Sequence, residues 1–159
     1  MKLLAAILLA ATAASAQLAA PNAQGVAMGH LHLNAADPDA QKKFWIDLIG
    51  AQPYDKNGLS GVTVPGAVIL IRKAVPTGGM AGSSVDHVGF TVPLLQPYIA
   101  KADAAGFRHV RPGAAVQTII DGPDGLRVEL TEDKTATVPV RFHHIHFHNS
   151  DTKAIQAWY

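Results

Sequence analysis

The residues of this chain best suited to chemistry are its eight histidines, His30, His32, His87, His109, His143, His144, His146 and His148. Most fall in strand-like runs, and neutral imidazole is a common metal ligand, so metal binding is the first chemistry to weigh. The chain has no cysteine, which excludes a thiolate zinc site, a catalytic thiol and a disulfide framework. Three of the histidines are evenly spaced. His30, His87 and His144 stand 57 residues apart, each inside a similar segment: GHLHLNAADPDAQKKFW, DHVGFTVPLLQPYIAKA and HHIHFHNSDTKAIQAWY. A fixed period with a shared local pattern reads as an internal repeat.

Each copy opens with an alternating strand. His30 and His32 oppose Leu31 and Leu33; His87, Gly89 and Thr91 oppose Val88, Phe90 and Val92; His144, His146 and His148 oppose Ile145 and Phe147. Period-two alternation gives a strand one apolar face and one polar face, and the polar face carries the histidines. A helix follows. In the first copy Asp37 supplies the cap, Pro38 suits the first turn, Ala40, Phe44 and Leu48 share a stripe, and Gly50 is the stop. The second helix is expected from about Leu95 to Ala105, ended by Gly106. Short strands then follow, including 61–64 and 67–74 in the first copy and 116–120 and 126–131 in the second. The unit is strand, helix, then about three strands, with a Gly/Ser-rich link at 75–84. The third copy stops inside its helix at Trp158-Tyr159, which leads us to expect a fragment of a longer protein with further units.

The remaining composition narrows the class. Apolar residues at 48% and charged residues at 16% fit a folded domain rather than a disordered chain. A net charge of +1 leaves no basic excess for neutralising phosphates, so a nucleic-acid partner is not expected. Met1-Lys2, the apolar run 3–14 and Ala14-Ser15-Ala16 form the three-part pattern of a secretory signal peptide. Residues 1–16 are read as that signal and 17–25 as a linker. The mature protein is expected in the periplasm or outside the cell, with no membrane association once the signal is cleaved.

The βαβββ pattern with a histidine in each first strand resembles the vicinal oxygen chelate superfamily. That group includes glyoxalase I, extradiol dioxygenases, and the fosfomycin- and bleomycin-resistance proteins. The resemblance implies an α+β fold in which paired units form a curved, partly open mixed sheet around a metal cleft, helices outside. The domain would span 26–135, with units at 26–74 and 85–133 and the start of a third at 138–159. The partner of a unit would be another within the chain or a second copy in a homodimer.

Carried onto this sequence, the resemblance implies metal ligation by His30, His87 and Glu129. The carboxylate stands on the polar face of GPDGLRVELTED together with Arg127 and Thr131. His32 shares the face of His30 and is an alternative to it. The family's fourth ligand would fall at Leu70 or, by the repeat, at Arg72, and neither can ligate. Two histidines and a carboxylate suit Fe(II) or Mn(II), with Zn(II) an alternative. His144 and His146 are read as first-strand positions of a second site whose partners lie in later sequence. The resemblance implies an exported metal-dependent enzyme, dioxygenase-like, acting on a small substrate with adjacent oxygens. A metal-free small-molecule binder and a glyoxalase I-like lyase are the alternatives. No general base can be named. Val68 and Leu70 would make one wall of the cleft apolar. His109 is read as solvated, and Asp121 and Asp124 as turn residues.

Overall fold

The computed structural model describes residues 18, 20–110 and 116–158. The expected signal peptide, 1–16, lies outside them, as do the first residue of the linker and Ala19. Among the described residues no helix is long and apolar enough to cross a membrane.

Two open mixed sheets carry the fold. The first has the order β1-β4-β3-β2, from β1 (His30–Ala35), β2 (Gln52–Lys56), β3 (Leu59–Val64) and β4 (Ala67–Lys73). The second has the order β6-β7-β8-β5-β9, from β5 (Val85–Val92), β6 (His109–Val110), β7 (Gln117–Asp121), β8 (Arg127–Glu132) and β9 (Arg141–Phe147). In both, the opening strand lies parallel to the last strand of its segment: β1 on β4, and β5 on β8. The other neighbours are antiparallel. Helices α1 (Pro38–Lys43) and α2 (Gln96–Ala104) supply the crossovers that parallel pairing requires. The strand that opens the third segment, β9, pairs antiparallel with the free edge of β5.

The helix start follows the sequence signals. Asp37 caps α1 by accepting hydrogen bonds from the backbone N–H groups of Asp39 and Ala40. The end differs from a plain α-helix: Phe44–Ile49 winds as a π-helical continuation, ended by Gly50 at φ 85°. The wider winding widens the expected stripe. Phe44, Trp45, Leu48 and Ile49 are all buried, while Ala40 is only half-buried. Strand β2 completes the three strands expected after the helix; sequence does not place it, because Gln52–Lys56 is polar and largely exposed and shows no apolar alternation.

One hydrophobic core joins both sheets. Trp45, fully buried, meets Phe90 of β5 edge-on at 5.5 Å, and Phe44 meets Phe107 at 5.1 Å. Phe142 of β9 meets Phe90 at 5.7 Å. That contact, with buried Val140 and the bond from Phe142 N–H to Pro65 C=O, docks the third segment onto the first two. Gln41 is buried and donates to the Pro123 carbonyl at 2.8 Å, tying α1 to the turn before β8.

Candidate metal centre

Four side chains meet on one face of the second sheet. The register explains how. Gly89 of β5 is opposite Glu129 of β8 on one side and opposite His144 of β9 on the other. His87, two residues earlier, is opposite His146. Side chains two apart on a strand share a face, so two adjacent rows across the sheet bring His87, Glu129, His144 and His146 together.

The distances are those of a ligand cluster. His87 Nε2 lies 3.3 Å from Glu129 Oε2 and 3.3 Å from His144 Nε2. His144 Nε2 lies 3.8 Å from Glu129 Oε1. His87, His144 and His146 each offer a ring nitrogen within 4.8 Å of the others. His87 and Glu129 are 5% and 6% exposed, so this carboxylate and imidazole are held out of bulk water. Buried polar groups of this kind require partners. Glu129 Oε1 receives Thr131 Oγ1–H at 3.1 Å and, at 3.4 Å, the Gln117 amide. Partial burial, opposed by the charge on Glu129, holds His144 below the usual histidine pKa and so favours its neutral, ligating form.

The cluster lines a cleft of about 570 Å³ with Asp86, Gln117, Ile119 and His148, a volume suited to a small molecule. Its walls are polar except for Ile119. The apolar wall expected from Val68 and Leu70 is therefore not part of it; both belong to β4 of the other sheet, where Leu70 is buried. A second cleft, of about 490 Å³, is lined by residues that alternate with the site histidines, Val88, Ile145 and Phe147 among them. Its titratable groups are His32 and Asp124, and Asp124 is committed to the Ala36 N–H.

The structure thus brings together His87 and Glu129 but not His30. That histidine is exposed on β1, in the other sheet, with its ring 4.7 Å from that of His32. Neither His30 nor His32 joins the cluster. His144 and His146, expected at a second site, lie beside the first: His144 next to His87 and Glu129, and His146 with its ring 4.5 Å from that of His87. The physical reason is the edge of β5, which β9 covers and β1 does not. Arg72, at the repeat-related position of Glu129, donates to Asn34 Oδ1 at 2.8 Å. His109 is paired with Asp103 rather than free in solvent, and Asp121 forms ion pairs with Arg108 and Arg127.

One signal could have revealed the role of His144. The first and third segments have histidine two places after the aligned one, at His32 and His146, whereas the second has Gly89. A glycine inside a strand marks a close approach. Here a Cβ on Gly89 would overlap the His144 imidazole. Gly89→Ala is expected to push that ring out of the cluster and weaken metal binding roughly tenfold or more, comparable with loss of a supporting group. Thermal stability should not fall, because Gly89 is extended and alanine limits the unfolded chain more. A metal titration beside a melting curve checks both.

No protein-family model matches the chain, and no curated protein matches it. Solved structures do. A glyoxalase/dioxygenase from Nostoc punctiforme aligns with a TM-score of 0.56 at 15% identity, over 65% of this chain and 88% of that one. TnmS3, an antibiotic binding protein from Streptomyces sp. CB03234, aligns at 0.53 and 17%, over 66% and 93%. A mutant of a fosfomycin resistance protein, FosX, from Listeria monocytogenes, in a complex with Mn(II) and 1S,2S-dihydroxypropylphosphonic acid, aligns at 0.53 and 16%, over 65% and 88%. The fold is the one these proteins share.

Proposed function

We propose that the chain is a metal-dependent enzyme acting on a small, polar substrate with adjacent oxygens, with His87, Glu129 and His144 as ligands and His146 beside them. The observation that supports this reading is the convergence of three ring nitrogens and one buried carboxylate on a cleft. The donor set fits a divalent cation. Two imidazoles and a carboxylate satisfy Fe(II), Mn(II) or Zn(II) and leave room for substrate oxygens. When bound, such an ion supplies a Lewis acid that polarises the oxygens it holds. The chain's own residues do the rest. Thr131 and Gln117 hold Glu129, Ile119 and the sheet keep water from one side, and His146 and His148 stand at the exposed rim.

A binding protein without chemistry is the second reading. It is favoured by the likeness to TnmS3, whose description is antibiotic binding. The Mn(II) in the FosX complex favours the metal reading in turn. Export through a signal at 1–16 remains part of our proposal, and N-terminal sequencing of the protein recovered from cells, starting near Gln17 or at Met1, tests it.

Mn(II) titration of the full chain tests the site. One ion per chain is expected. His144→Ala should weaken binding roughly tenfold or more, at least the effect of an outer-shell change. His30→Ala and Arg72→Ala should leave it unchanged, since one side chain is exposed on the other sheet and the other is engaged with Asn34. Equal loss in His30→Ala and His144→Ala would overturn this assignment.

A further inference from the structure

The residue before two of the three clustered histidines reaches back to its ring. His87 Nδ1 lies 2.7 Å from Asp86 Oδ1, and His144 Nδ1 lies 2.8 Å from His143 Nδ1. At the same place before His30, which lies outside the cluster, stands Gly29, with no side chain to offer. Neighbours on a regular strand point to opposite faces, so the Asp86–His87 contact needs an irregularity. The strand has one: the pairing of β5 with β9 shifts register between Val85 and His87. Bulges of this kind re-aim side chains. Asp86 consequently lines the same cleft as His87.

Asp86 is itself held. Arg127 Nη1 donates to its second oxygen at 2.6 Å, and Arg127 stands 3.9 Å from Asp121, which also pairs with Arg108. The guanidinium of Arg127 thus stands on one side of the Asp86 carboxylate and the His87 ring on the other. A carboxylate without a proton can only accept, so the proton of this bond sits on His87 Nδ1. In the neutral ring that leaves the Nε2 lone pair facing Glu129 and His144.

We propose that Asp86 is a positioning residue that fixes the ring and tautomer of His87 so that Nε2 is presented as a ligand, with His143 holding His144 Nδ1 in the same manner. This rests on the metal reading above. It adds a reason why the second and third segments make a site and the first does not. The opening segment lacks the residue that aims its histidine, as well as the glycine and the carboxylate.

The test reads tautomers and affinity separately. The probes are Zn(II), which is diamagnetic, and the full chain with nitrogen-15-labelled histidine; the His87 signals are identified by their loss in His87→Gln. In metal-free protein under alkaline conditions, His87 should show a protonated Nδ1 and a bare Nε2. Asp86→Ala should shift it toward the Nε2–H form and weaken Zn(II) binding about 10–100-fold, the usual effect of losing the group behind a ligating histidine. Asp86→Asn has nearly the same shape and still offers an acceptor oxygen. It should restore the Nδ1–H form and most of the affinity, and it guards against misfolding of the alanine variant. An unchanged tautomer with unchanged affinity in Asp86→Ala would overturn the proposal. Failure of the wild-type chain to bind Zn(II) would instead overturn the metal reading, and the metal-free tautomer would still decide the role of Asp86.

Discussion

Glu129→Gln should abolish stoichiometric Mn(II) binding while the chain stays folded. Glu129 is the only anion among the four clustered side chains, so the change removes the charge that offsets the cation and keeps the shape. The loss should exceed the roughly 10–100-fold effect of an outer-shell substitution, because the altered atom is itself a ligand. The fold has little to lose. The amide oxygen can still accept from Thr131 Oγ1, and a buried carboxylate is costly to desolvate unless it is paired. Mn(II) is the right probe because it prefers oxygen donors, so the exposed histidines near the end of the chain compete weakly for it. Equilibrium dialysis with the metal counted per chain gives the answer, and a melting curve on the same sample reports the fold. One Mn(II) retained per Glu129→Gln chain would move the site away from this carboxylate.

Much of this site can be read from sequence because strands have a short period. The alternation about His87 and about Glu129 assigns both side chains to polar faces, and the cluster forms where those faces meet. The strand order of each sheet follows from parallel pairing across a helix. What sequence could not supply is which edge β9 chooses. His30 and His144 occupy equivalent places in their segments, and local pattern treats them alike. The choice between them is made by tertiary contacts: Phe142 against Phe90, Val140 in the core, and the room left by Gly89. The π-helical winding at 44–49 was hidden for a similar reason. It seats Trp45 against Phe90, a contact more than forty residues distant, which no local propensity encodes. The bulge at Asp86 depends on the partner strand and is likewise invisible until β5 and β9 are paired.

Gly61→Ala makes the opposite bet from Gly89→Ala and should show that the two glycines serve different ends. Gly61 lies in β3 opposite Leu70 of β4. A Cβ there would overlap the carbonyl oxygen of Ile69 and come within 3.0 Å of the Leu70 Cα. At Gly89 the obstacle is a side chain that can swing away; at Gly61 it is the backbone of a neighbouring strand, with Ile69 fully buried beneath it. The strands must therefore separate locally, and the close packing of the core transmits that strain. Overpacking costs typically 1–3 kcal/mol and sometimes more, and a backbone obstacle places this variant near about 3 kcal/mol. For a domain of this size that lowers the melting temperature by roughly 10 °C. The metal site sits on the other sheet, so the fraction that stays folded should bind Mn(II) with wild-type affinity. Gly89→Ala should do the reverse, keeping its melting temperature and losing the ion. A double substitution should show both losses independently, since the two positions share no contact partner and act on different sheets. Loss of metal affinity in folded Gly61→Ala would mean that the first sheet reaches the site after all.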